Sequence, residues 1–173
     1  MKQHLGWIGT GVMGAPMCMN LIRNGYEISV YNRTRQKADS LVENGAVYRE
    51  TPSAVAAESD IVFTIVGYPS DVEEVYFGDD GVLENVREGA VLVDMTTSEP
   101  SLAERIHQAA KDKGAAALDA PVSGGDIGAR GGTLAIMVGG DREAFEKLST
   151  IFDILGENIA HMGPAGAGQH TKM

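Results

Sequence analysis

Residues Gly9-Thr10-Gly11-Val12-Met13-Gly14 follow a short apolar run, His4–Ile8, and open an amphipathic stretch, Val12–Asn24, that Gly25 closes. The spacing is G-x-G-x-x-G at the first strand-to-helix turn. The three glycines allow, in order, a tight turn, the approach of a pyrophosphate to backbone, and close packing of helix on strand. The helix N-terminus offers free N–H groups and a favourable dipole to phosphate. The feature therefore predicts a strand–helix–strand unit that binds a dinucleotide, with Gly9, Thr10, Gly11, Val12, Met13 and Gly14 as its phosphate loop.

The rest of the chain repeats that alternation. Expected strands are Glu27–Tyr31, Ala46–Tyr48, Ile61–Val66, Ala90–Asp94, Ala115–Leu118, Leu134–Val138 and Glu157–His161. Expected helices are Gln36–Asn44, a short one capped by Thr51-Pro52-Ser53 and ending near Glu58, Asp71–Tyr76, Glu99–Lys113 and Asp141–Leu155. Gly78–Gly81 reads as a turn, and a glycine-rich loop separates the strands Ala115–Leu118 and Leu134–Val138. Ile61–Val66 is continuously apolar, as a strand buried on both faces is. The pattern predicts an α/β, Rossmann-type, doubly wound and mostly parallel sheet with helices on both faces.

Composition narrows the partners. Against 24 Asp and Glu stand 14 Lys and Arg, a formal net charge of −10. Such a chain is a poor binder of nucleic acid or anionic membrane. No apolar run approaches the roughly 18 residues of a membrane span, and the first residues, from Met1, lack the apolar core of a signal peptide. A lone Cys18 fits a reducing, cytoplasmic setting. His4, His107, His161 and His170 have no paired spacing, so no metal site is expected.

The end of the second strand chooses the nucleotide. Carboxylates accept the ribose 2′-OH of NAD at such ends. Here Tyr31 is followed by Asn32, Arg33 and Thr34, with Lys37 nearby and Arg35 between. Arg33 offers a planar fork to phosphate, and Asn32 and Thr34 offer hydrogen bonds. The segment favours NADP, with NAD as the alternative. Val66-Gly67-Tyr68 follows a buried strand at the carboxyl edge, where ligands of such sheets sit, and is expected to touch the cofactor. Ser123-Gly124-Gly125 combines a hydroxyl with adjacent backbone N–H groups, a nest suited to a carboxylate.

Four segments together resemble the β-hydroxyacid dehydrogenases, a family that includes 3-hydroxyisobutyrate dehydrogenase, tartronate semialdehyde reductase and glyoxylate/succinic semialdehyde reductase. They are Gly6–Met17 running on to Asn20-Leu21, Asp119–Gly125, Asp94–Pro100 and Gly166–Lys172. The resemblance implies a 6-phosphogluconate dehydrogenase-like NADP-binding domain over residues 1–163. It implies that 164–173 begin a long interdomain helix, cut short at Met173. Family members continue for more than 100 residues as a mostly helical, dimer-forming domain. The resemblance further implies Lys172 as catalytic acid/base, Ser123, Gly124 and Gly125 as holders of a small carboxylate substrate, and Thr97 near the nicotinamide ribose. It implies a homo-oligomer for the longer form and little activity for 173 residues alone. Imine reductases share this architecture but usually replace the Lys. A non-catalytic nucleotide-binding module is the other reading of the same fold.

Overall fold

The computed structural model describes residues 3–173; Met1 and Lys2, at the start of the expected nucleotide domain, lie outside it. The first half runs β1 (His4–Ile8), α1 (Gly14–Arg23), β2 (Glu27–Tyr31), a 3₁₀ turn (Arg35–Ala38), α2 (Asp39–Glu43), β3 (Val47–Tyr48), α3 (Pro52–Ala57) and β4 (Ile61–Thr64). There follow α4 (Pro69–Phe77), α5 (Val82–Asn85), β5 (Val91–Asp94), α6 (Pro100–Asp112) and β6 (Ala116–Asp119). The last part holds β7 (Val122–Ser123), α7 (Gly125–Gly131), β8 (Leu134–Gly139), α8 (Arg142–Lys147), α9 (Ser149–Leu155), β9 (Gly156–Gly163) and α10 (Ala167–Lys172).

Six strands, in the order β3-β2-β1-β4-β5-β6, are parallel throughout. The strand order reverses around β1 and β4, which pair as Ile8 with Thr64 at their carboxyl ends. Clefts open at such a switch point. β8 then runs antiparallel to β6 and β7 and parallel to β9.

The sheet separates two cores. Trp7, Phe63, Met17, Leu21, Phe152 and Leu155 fill one, under α1, α2, α7, α8 and α9. Ile8, Val62, Leu92, Val72, Tyr76 and Ile106 fill the other, under α3 to α6. Every residue of β4 is buried; Thr64, its polar member, accepts the Tyr76 O–H at 3.0 Å. Trp7 and Phe63 stack with centroids 5.3 Å apart. Cys18 lies wholly inside the first core, and burial pushes its thiol well above the ordinary range. Among the described residues no helix is long and apolar enough to cross a membrane.

The structure departs from the sequence pattern at several places; the helix expected over Gln36–Asn44 is a 3₁₀ turn, Arg35–Ala38, followed by the short α2. β4 ends at Thr64, two residues before the expected limit, although the Ile65 N–H still donates to Ile8 O at 2.9 Å. The expected turn around residues 78–81 leads into α5. The helix expected over Asp141–Leu155 breaks at Leu148 into α8 and α9. The glycine-rich segment after β6 is not a plain loop: it contains β7 and α7, and Asn20 Nδ2 reaches from α1 to the last carbonyls of α7, at 3.0 Å from Ala129 O. That contact stabilises a glycine-rich helix that local propensity disfavours.

Candidate active site

The phosphate loop is built largely by leaving atoms out. Gly9 has φ +103°, a conformation that costs other residues strain, and a Cβ there would lie 1.9 Å from Ile65 O. A Cβ on Gly14 would lie 2.1 Å from Gly9 O. These two glycines let the turn, the start of α1 and the loop after β4 pack together. Hydrogen bonds then brace the turn: Trp7 Nε1 donates to Gly9 O at 2.8 Å, Gly9 N–H to Tyr31 O at 3.1 Å, and Thr10 N–H to Asn32 Oδ1 at 2.8 Å.

Gly11 is different. A Cβ on it would meet nothing within 4 Å, and its φ lies outside the left-handed region. Neither packing nor backbone conformation requires a glycine there. The open space belongs to a cleft of about 590 Å³, a size ordinary for cofactor sites. Beside it Thr10 Oγ1 is buried without a hydrogen-bond partner. The open space at Gly11 fits a dinucleotide whose pyrophosphate approaches the turn.

Gly9, Gly11, Val12, Met13, Gly14, Asn32, Arg33, Thr34, Lys37, Val66 and Gly67 all line this cleft. Thr10 and Tyr68 do not. Thr10 faces inward, and Tyr68 is 72 % exposed at the start of α4. Asn32 is occupied within the loop, accepting from Thr10 and donating from Nδ2 to Thr34 O at 2.9 Å. Sequence reasoning missed the acidic contribution of the facing wall: Asp71, Glu74 and Asp79 also line the cleft. Asp71 accepts the Tyr68 N–H at 3.0 Å and pairs with Arg33 at 2.9 Å. Asp71, three residues after Tyr68, thereby caps the start of α4, but Tyr-x-x-Asp is not a capping pattern that the sequence announces.

A second cleft, of about 350 Å³, shares Met13, Ile65, Val66 and Gly67 with the first. Thr97, Ser123, Gly124, Gly125 and Lys172 line it. The two are therefore neighbours along one wall. β7 delivers Ser123, and the positive φ of Gly124 and Gly125 turns the chain into α7. α10 delivers Lys172, whose Nζ donates to Ser123 Oγ at 2.5 Å across 49 residues of sequence.

Beneath this cleft lies a buried polar cluster. Burial pushes Asp94 up to about 7, against the lowering effect of hydrogen bonds from Thr96, and the neighbouring Asp119 raises it further. Asp94 and Asp119 are partners in the β5–β6 register.

The family model for the NAD binding domain of 6-phosphogluconate dehydrogenase matches residues 4–163. The chain belongs to this family. It is 58 % identical over 173 residues to an uncharacterized oxidoreductase, YkwC, of Bacillus subtilis, covering all of this chain and 60 % of that one. It is 44 % identical over 169 residues to the 2-hydroxy-3-oxopropionate reductase of Escherichia coli, covering 98 % of this chain and 58 % of the reductase. A solved structure of Mycobacterium tuberculosis 3-hydroxyisobutyrate dehydrogenase with L-serine superposes with TM-score 0.93 at 32 % identity, over 99 % of this chain and 58 % of that one. This NAD(P)-binding chain thus spans about three-fifths of the length of the relatives it matches.

Proposed function

We propose that the whole protein is a β-hydroxyacid dehydrogenase that moves a hydride between NADP(H), in preference to NAD(H), and a short 3-hydroxy acid or its semialdehyde, 3-hydroxyisobutyrate being one example. The observation that carries this reading is the meeting of Lys172 Nζ with Ser123 Oγ at 2.5 Å, in a cleft that shares a wall with the nucleotide cleft. The phosphate loop would hold the pyrophosphate at the start of α1, and Arg33 with Lys37 the adenosine end. The bound nicotinamide supplies hydride chemistry.

The remaining work falls to this chain's own groups. Ser123 Oγ and the N–H groups of Gly124 and Gly125 would anchor the substrate carboxylate, which fixes the reacting carbon. Lys172 as ammonium would give a proton to the carbonyl oxygen during reduction, and as amine would take the hydroxyl proton during oxidation. Assembly into a homo-oligomer belongs to the same reading.

Replacing Lys172 by Ala in the whole protein is expected to lower kcat about 10²–10⁴-fold, the usual worth of a general acid/base. Nucleotide affinity should hardly move, because Lys172 lines only the second cleft. Turnover within a few-fold of wild type would remove Lys172 from this role. The 173-residue chain by itself is expected to bind nucleotide but to turn over little, since a half-open cleft does not exclude water; robust turnover from a mass-verified sample would contradict that.

A further inference from the structure

α10 (Ala167–Lys172) carries the proposed acid/base. Its direction is set by buried polar groups that the proposed chemistry does not use. Asp119, at the end of β6 and 3 % exposed, accepts the Gly166 N–H through Oδ1 at 2.8 Å and the Gln169 N–H through Oδ2 at 2.9 Å. Gln169, 1 % exposed, reaches the other way. Its Nε2 donates to Thr96 O at 2.7 Å, and its Oε1 accepts the Ser98 N–H at 2.8 Å. Thr96 Oγ1 in turn accepts the Val66 N–H at 3.0 Å. Val66 lines both clefts. A connected series of hydrogen bonds thus joins the helix bearing Lys172 to the wall that the nucleotide and substrate clefts share.

We propose that Gln169 is a positioning residue: it holds Lys172 against Ser123 and sets that pair relative to the wall carrying Thr97 and Val66. The inference rests on the reading of Lys172 as acid/base. The chemistry calls for an amide in particular. One group must donate to a carbonyl and accept from an N–H at once, inside a dry site where either atom left unpaired is costly. A carboxylate cannot donate to Thr96 O, and a hydrocarbon can do neither. A misplacement of about 1 Å at the reacting group costs about 10²-fold in rate. The effect should therefore appear in kcat rather than in binding, because Gln169 lines neither cleft.

The test uses the whole protein with NADPH and a short semialdehyde acid. Gln169→Leu, similar in volume, is expected to lower kcat about 10–100-fold while substrate KM and the Kd for NADPH stay within about threefold. Gln169→Glu supplies a graded partner. Its carboxyl can donate to Thr96 O only when protonated, and it would stand near the carboxyl of Asp119, which accepts the residue's own N–H, with Asp94 on the Thr96 N–H and with Lys172 and His170 on its own helix. The ratio of its kcat to that of wild type is expected to rise toward one as pH falls. A Gln169→Leu enzyme with kcat within threefold of wild type, a loss confined to KM, or a Gln169→Glu ratio independent of pH overturns the proposal. Where Gln169→Leu does not fold, the Gln169→Glu ratio decides. Lys172→Ala is the parallel arm. If that variant keeps turnover, the reading of Lys172 falls and the role of Gln169 with it. If it loses turnover while Gln169→Leu does not, the role of Gln169 alone is rejected.

Discussion

The turn after β1 and the joint before α10 stand at the same edge of the sheet and are made differently. In the turn, Gly9 and Gly14 remove side chains so that backbone meets backbone, and Gly11 leaves space for a ligand. In the joint, Asp119, Gln169 and Thr96 fill the interior with polar atoms, each given a partner. Even there, Gly168 must lack a side chain, since its Cβ would lie 2.4 Å from Met137 O. The turn thus depends on shape, and the joint on the pairing of buried donors and acceptors. Shape tolerates any pH and salt; paired polar groups respond to protonation.

The largest expected effect separates two glycines that share one turn and differ in purpose. Gly9→Ala forces a Cβ to 1.9 Å from Ile65 O in a left-handed conformation and should cost on the order of 4 kcal/mol or prevent folding. Gly11→Ala should change stability by less than about 0.5 kcal/mol, yet weaken nucleotide binding at least about tenfold by occupying the approach to the turn. Denaturant midpoints and NADPH titration read both. Equal losses of stability in the two variants would dissolve the distinction between packing glycine and ligand glycine.

Next comes the joint. Asp119→Ala leaves the Gly166 and Gln169 N–H groups without their acceptor, a loss of about 3 kcal/mol for two charge-assisted bonds. A change below about 1 kcal/mol by chemical denaturation would show that the start of α10 does not depend on this carboxylate.

Asp94 gives the joint a pH signature. Its folded value is near 7 and its ordinary value near 3.8, so the folded state keeps a proton that the unfolded chain releases. Stability from this group is full below about pH 4, is lost as pH rises to about 7, and is flat beyond. The span is on the order of 4 kcal/mol at most. Asp94→Asn should flatten that part of the stability–pH curve. An unaltered slope in the variant would assign the dependence to another group.

The smallest effect lies at the rim of the nucleotide cleft, where Arg33 is exposed and pairs with Asp71. An Arg33 contact to a 2′-phosphate is worth roughly 1.5–3 kcal/mol, or about 10–100-fold in favour of NADPH over NADH. Arg33→Ala should erase most of that preference while sparing NADH. Asn32→Asp keeps the acceptor for the Thr10 N–H but adds repulsion, and should favour NADH. Calorimetric titration of wild type and both variants decides; a wild type that binds NADH as tightly as NADPH ends the argument. Added salt should shrink this effect and leave those of Gly9 unchanged.

The same contrast explains which parts of the molecule are legible in the sequence. G-x-G-x-x-G declares itself within six residues because backbone geometry acts locally, and the apolar run at Ile61–Thr64 announces a central strand. Ser123 and Lys172 stand out through motif resemblance, and the structure brings them into contact. The joint is hidden. Asp119 and Gln169 sit inside recognisable segments, yet their partners are 47 to 73 residues away, and no local pattern encodes a hydrogen bond across that separation. The acidic wall of Asp71, Glu74 and Asp79 is hidden for the same reason: only the switch in strand order places α4 opposite β2. The glycines of α7 weigh against helix in any local reading, whereas contact with α1 decides the outcome.

The buried thiol of Cys18 turns the first core into its own clock. The chain contains a single cysteine, fully enclosed on the buried face of α1 and held protonated by burial. An alkylating reagent reaches it only when α1 lifts from the sheet, and α1 begins at the phosphate loop. Labelling speed therefore counts openings of the helix that would cradle the nucleotide, and ligand occupancy can be followed as a slowing of that one reaction, with no probe added to the protein.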